Sequence, residues 1–281
     1  MRGVKNTFLA MSISLVALLI WSACGRSPSR LLRQGQLPLT DFPLYLSEGV
    51  PGRVWKYSAD GSRSLFASGL NEPRGVATDQ WGNLWVVEQG AGRVLKINIA
   101  SGAITPVLSG LQQPTIIAID SFGEAYVTQE ILGNILRVSD SKIIGTFPGG
   151  LTTGLAFGIN DTILVADFNN DKIYWGASPT STSAAVVDPV NVVVDQSGRI
   201  YVAEGAAANA RVYRYQQDNP SVKVTVADLL QGPQGIAIDP AQNIYVMETG
   251  TNRIVLVTYD GQIFQWVSGI VDGQYLAFTQ Y

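Results

Sequence analysis

The stretch from Gly232 to Gly261, GPQGIAIDPAQNIYVMETGTNRIVLVTYDG, decides how the chain is read. It holds Pro233, an alternating strand (Gly235 to Ile238), a turn led by Asp239, a second strand ending in Glu248, a short loop, and a third strand opening with Arg253. Copies of its first strand stand at Gly75 to Asp79, Ile116 to Asp120, Gly154 to Gly158 and Asn191 to Asp195, with a last one, Tyr275 to Thr279, at the C-terminus. Their middle residues are Ala77, Ala118, Ala156, Val193, Ala237 and Ala277. Small side chains there suit strands crowded around an axis.

The second strand repeats as regularly. Tyr45, Trp85, Tyr126, Leu164, Tyr201 and Tyr245 each stand three residues before Glu48, Glu88, Gln129, Asp167, Glu204 and Glu248, and the last six are spaced by 40, 41, 38, 37 and 44 residues. Such a period, with about four short strands per unit, marks the blades of a propeller. The N-terminal copy, Leu44 to Leu70, lacks an inner strand, whereas the C-terminal copy is an inner strand alone. Each supplies what the other lacks. The expected fold is all-β, a six-bladed β-propeller of four-stranded blades over 44–281, its ring closed by Tyr275 to Thr279 joining the N-terminal blade.

PQGIAIDPAQNIYVMETGTNRIVLV and PRGVATDQWGNLWVVEQGAGRVLKI resemble the unit of NHL repeats almost residue for residue, and the resemblance covers about Leu44 to Tyr281. It touches the wider group of six-bladed propellers that includes gluconolactonase-like and strictosidine synthase-like proteins. NHL propellers mostly bind ligands or serve as scaffolds, so the resemblance implies a shape more than a reaction.

The near-ring of acids, Glu48, Glu88, Asp167, Glu204 and Glu248, invites a metal-site reading, but each is followed by a base opening the next strand: Arg53, Arg93, Lys172, Arg211 and Arg253. In the sixth copy both charges vanish together, leaving Gln129 and Asn134. That pattern predicts local ion pairs across the loop, each exposed and worth about 0 to 1 kcal/mol. The turns Asp79 to Gly82, Asp120 to Gly123 and Asp195 to Gly198 read as hairpin chemistry, Asp accepting backbone N–H bonds and Gly taking positive φ. Trp81 and Phe122 within them are expected to pack between blades, the alternative being a sticky apolar patch on that face.

Because strands alternate in direction, inner strands begin and second strands end on one face, which holds the channel mouth. The residues just before or at the inner-strand starts are Arg74, Thr115, Thr153, Asn191, Gln234 and Tyr275. They vary where the repeat is otherwise uniform, and variation at one ring of a regular scaffold is where specificity is built. The alternative is that they only solvate a water-filled channel.

Arg2 and Lys5 precede an apolar run from Phe8 to Trp21 that reads as an export signal, too short to span a membrane comfortably. Ser22-Ala23-Cys24-Gly25 resembles the lipobox of bacterial lipoproteins. The expectation is a signal peptide over 1–23, acylation at Cys24, a Ser-, Pro-, Arg- and Gln-rich tether over 24–43, and display on the cell envelope. An ordinary cleaved signal or an uncleaved anchor are the alternatives. The single cysteine forms no internal disulfide, so the exported domain depends on its core. A net charge of -3 offers nucleic acid no basic field.

The chain contains no histidine, which removes the Ser-His-Asp arrangement and His-ligated metals. A hard-cation site such as one for calcium would need carboxylate, amide and carbonyl oxygens. Two functions follow. The first is a non-enzymatic propeller, lipid-tethered, that binds a protein or small ligand at the channel mouth. The second is a calcium-dependent lactonase like the gluconolactonases, whose ligands come from inner-strand starts; of Gly75, Ile116, Gly154, Asn191, Gly235 and Tyr275, only Asn191 matches.

Overall fold

The computed structural model describes residues 43–205, 208–216 and 219–278. The predicted signal peptide, Cys24 and the tether up to residue 42 lie outside the described residues. Among those described, the strands number β1 to β24 in chain order and form six four-stranded antiparallel sheets, the blades of a propeller. The inner strands are β4 (Pro73–Thr78), β8 (Pro114–Ile119), β12 (Thr152–Phe157), β16 (Pro189–Val194), β20 (Pro233–Ile238) and β24 (Gly273–Phe278).

Burial follows position within a blade. The second strand β21 (Ile244–Glu248) is buried along its whole length, because both of its faces meet neighbouring blades. It accordingly reads as an unbroken run, IYVME, rather than as an alternation. The outermost strand β7 (Ile104–Ser109) is almost entirely exposed. Aromatic residues of second strands lock successive blades together: Tyr126 lies 4.9 Å from Phe157, and Tyr245 lies 5.0 Å from Phe278. Each such pair adds about 0.5 to 1.5 kcal/mol beyond its buried area.

The two ends of the described chain meet in one blade. β24 pairs antiparallel with β1 (Leu44–Glu48), setting Phe278 against Leu44, Ala277 against Tyr45 and Leu276 against Leu46. β2 (Arg53–Tyr57) and β3 (Arg63–Ser68) complete that blade in the order β24-β1-β2-β3. The closure expected from the incomplete terminal repeats is thus present.

Near the axis the inner strands approach in an alternating way. At the third residue of each strand stand Gly75, Ile116, Gly154, Asn191, Gly235 and Tyr275. A Cβ on Gly75 would come 2.9 Å from the Cα of Ile116; on Gly154, 3.0 Å from that of Asn191; on Gly235, 2.8 Å from that of Tyr275. Real Cβ atoms do not come that close to backbone, so only glycine permits these approaches. The expected crowding is real, but it sits two residues before the alanine row, whose members line a cavity instead.

Removing the last eight residues takes away Tyr275, Leu276 and Ala277 and exposes the edge of β1. Such an edge templates aggregation. The truncated chain is expected to be insoluble on expression; a soluble truncation with one cooperative urea transition would overturn the closure as the source of stability.

Candidate functional site

The inner strands begin on what is called here the upper face and end on the lower. Each pairs irregularly with its second strand near its start, between Pro73 and Val76 in β4 and between Pro233 and Ile236 in β20, for example. Ala77, Val193 and Ala277 lie opposite Trp85, Tyr201 and Tyr45, which fixes the alignment of the repeats. Arg74, Thr115, Thr153 and Gln234 are equivalent. Asn191 and Tyr275 stand one residue further along, and the true equivalents in their blades are Val190 and Gln274. The expected ring, drawn from residues just before or at the strand starts, thus takes the second residue of four inner strands and the third of two.

Part of that ring comes together. Nε of Arg74 donates to the Gln89 amide oxygen at 3.1 Å, and Nη1 donates to the Gln274 amide oxygen. Gln274 in turn donates to Asp272 at 2.6 Å. The other end of Gln89 donates to Thr115 Oγ1 (3.3 Å) and to Glu130 (3.5 Å), and Thr115 donates to Glu130 at 2.7 Å. Arg74 and Glu130 thus grip opposite ends of one neutral amide. Gln234 donates to the Tyr275 hydroxyl at 3.1 Å. Burial raises the Tyr275 phenol well above its usual range, against the smaller opposing effect of Gln234.

The remaining two candidates face other tasks. Thr153 donates to the Pro189 carbonyl at 2.6 Å, tying its blade to the next, and Asn191 Oδ1 accepts the Val192 amide at 2.8 Å. Sequence reasoning missed Gln89, Glu130, Asp272 and Gln274. A signal exists for the first two: the residue after the second-strand acid or its Gln129 counterpart runs Gly49, Gln89, Glu130, Phe168, Gly205, Thr249, which varies as much as the inner-strand ring does.

The second-strand acids are not the exposed pairs expected. Glu48, Glu88, Asp167 and Glu248 are each 0% exposed. One oxygen of each accepts a backbone N–H from the loop leading into the adjoining inner strand: Val271 to Glu48 (3.0 Å), Asn71 to Glu88 (2.8 Å), Leu151 to Asp167 (3.2 Å) and Gln231 to Glu248 (2.9 Å). The amide oxygen of Gln129 does the same for Gln112 at 2.6 Å. A neutral amide suffices there because the loop bond needs an acceptor, not a charge.

Ion pairs form on the second oxygen in three blades: Glu48 with Arg53 at 2.7 Å, Glu88 with Arg93, and Glu248 with Arg253. The two other expected pairs are absent among the described residues. Lys172 lies over the Tyr174 ring, while Asp167 accepts from Asn170; Arg211 reaches the Tyr213 hydroxyl at 3.4 Å.

The turn aspartates behave as expected. Asp120 Oδ1 accepts the amides of Phe122 and Glu124 at 2.9 Å, and its other oxygen accepts from Tyr126, whose pKa burial and this contact push up to about 12. Gly82, Gly123 and Gly198 all have φ near +80° (77°, 80° and 77°). Phe122 departs from expectation: it is 79% exposed rather than packed between blades. Trp81 lies against Gly123 of the next blade's turn, where an added Cβ would strike its ring, yet stays 59% exposed.

Towards the lower face the channel widens into a cavity of about 540 Å³. Its lining starts at the fourth residue of every inner strand, just past the glycine approaches. Ile119, Phe157, Val194, Ile238 and Phe278 supply the strand ends, with Thr78 as the one polar member of that ring. Among the described residues no cluster of three or more His, Cys, Asp or Glu side chains has metal-binding geometry.

With the geometry in place, comparison with known proteins locates the fold. No family model matches the chain, and no curated protein matches it in sequence. Among solved structures, a chain of a nidogen/laminin complex superposes with a TM-score of 0.72 at 13% identity, covering 85% of this chain and 98% of that one. A streptogramin B lyase structure gives 0.56 at 17%, covering 79% and 72%. A catalytically inactive histidine-to-alanine form of virginiamycin B lyase from Staphylococcus aureus, with Quinupristin, gives 0.56 at 15%, covering 74% of each. Identities this low speak for the β-propeller fold alone.

The buried staple makes a direct prediction. Glu248→Ala strands both the Gln231 amide and Arg253, and is expected to cost about 1 to 3 kcal/mol in urea unfolding. Glu248→Gln keeps the acceptor that Gln129 uses naturally and should cost less than half as much. Equal losses would show that the ion pair, not the loop bond, is what matters.

Proposed function

We propose that this chain is a non-enzymatic binding propeller, held on the bacterial envelope by a lipid on Cys24, which takes a protein or small-molecule partner through its upper face. The observation that carries the reading is the connected polar network from Asp272 through Gln274, Arg74 and Gln89 to Glu130 and Thr115. It spans three blades on one rim of the channel mouth. Arg74 meets only neutral amide oxygens within it, so its charge is left for a partner, and arginine in such a setting suits planar acceptors.

Other observations support binding over catalysis. The lyase similar in fold is inactivated by loss of a histidine, and this chain has none. Nor do the inner-strand starts fit calcium: Gly75, Ile116, Gly154 and Gly235 carry no side-chain oxygen, and that of Asn191 accepts a backbone amide. A nidogen/laminin complex among the similar structures shows that a propeller of related shape occurs in a protein assembly.

Affinity capture from detergent-solubilised envelopes tests the face. Wild-type protein should retain a partner that Arg74→Ala with Gln234→Ala loses, while both proteins show the same thermal transition; identical captured sets would overturn the site. Mass spectrometry of the mature N-terminus tests the address. Acyl chains on Cys24 are expected, and an unmodified Cys24, or a chain beginning elsewhere, would refute the anchor.

A further inference from the structure

We propose that the lower end of the channel is a second binding site, separate from the upper face, for one uncharged molecule with an apolar ring-containing body and at least one hydrogen-bonding group. The cavity's volume of about 540 Å³ lies within the range of small-ligand sites. Its side-chain wall at the strand ends is apolar apart from Thr78, and that hydroxyl is engaged with the Phe278 carbonyl at 2.6 Å.

No cationic side chain lines the cavity. The two carboxylates at the rim are committed to their own turns: Asp195 accepts from the amides of Ser197 and Arg199 and from the Arg199 and Tyr201 side chains, and Asp239 accepts from the amide and side chain of Asn243. An anion entering this space would lose its hydration without gaining a partner, and a cation would meet, besides the Asp195 that Arg199 already holds, only Asp239, whose burial raises its pKa and so already disfavours the charged form. Hydrogen bonds come from a different source. Each inner strand pairs on one side only, with its own second strand, so its other edge turns N–H and C=O groups toward the axis. Apolar side chains with polar backbone edges between them select a neutral molecule that carries a few donors or acceptors.

The surrounding surface extends the site. Trp81, Phe122 and Ile159, on the turns of three consecutive blades, are 59%, 79% and 48% exposed. They are held as one lip: Trp81 lies against Gly123 in the turn of Phe122, and Ser121 in that turn donates its amide (2.8 Å) and hydroxyl (2.7 Å) to Asp161 beside Ile159. Ile159 also lines the cavity, so the apolar surface continues inward without a break.

The test is a fluorescence titration of the full chain with N-phenyl-1-naphthylamine, an uncharged secondary amine carrying a phenyl and a naphthyl group and one N–H donor. Saturable binding of one molecule per chain is expected. Val194→Arg, which sets a cation in the wall, should weaken it by about tenfold or more, whereas Val50→Arg, at an exposed apolar position on the upper face, should bind as wild type does. Should Val194→Arg lose its cooperative thermal transition, Ile119→Gln replaces it with the same expected weakening. Absence of one-to-one binding, binding unchanged in the cavity variants, or equal weakening in Val50→Arg would each overturn the site. Loss of the upper-face partner has no bearing on the outcome.

Discussion

Everything in this molecule depends on one ladder of hydrogen bonds, that between β24 and β1. Each blade touches only its neighbours, so without that ladder the six sheets would form an open arc with two raw edges. Closing a loop of this length costs about 5 kcal/mol in chain entropy. Burying Tyr275 and Leu276 returns about 1.5 to 3 kcal/mol each, and each ladder bond adds about 0.5 to 1.5 kcal/mol. One strand's contacts are therefore on the scale needed to hold the ring shut, with no disulfide in a chain that has a single cysteine.

Once closed, the ring makes the two ends of its channel chemically opposite. On the upper face, the irregular start of each inner strand releases side chains from strict alternation, and Arg74, Gln89, Thr115 and Glu130 gather there into a polar rim. Below the glycine approaches, the strands resume regular pairing and present Ile119, Phe157, Ile238 and Phe278. The staples accepted by Glu88, Gln129 and Glu248 hold the upper loops to the blade bodies, so the polar rim rests on buried bonds rather than on the rim residues themselves.

Much of this was legible in the sequence, because the repeat unit carries both its period and its turn chemistry. The blade number, the closure and the Asp-led turns all follow from residues that recur in place. The errors share a cause: a repeat reveals what recurs but not which way it faces. The acids looked like surface partners of the nearby bases, yet bonds such as Gln231 to Glu248 join residues 17 apart through backbone, which leaves no mark on side-chain identity. The cavity leaves no mark of its own in the sequence, because Phe157 and Ile238 look like core residues until the ring is closed around them.

The alternation of glycine with a larger residue at the third inner-strand position gives the ring a different grain from the one its repeats suggest. Gly75 is shaped for Ile116, Gly154 for Asn191 and Gly235 for Tyr275. The unit of mutual fit is therefore a pair of blades, and the sixfold sequence repeat encloses a threefold structure. Duplicating or deleting a single blade would set two bulky residues, or two glycines, side by side at the axis. A change of size preserves the interlock only in steps of two, so the blade is the module of the sequence and the couple is the module of construction.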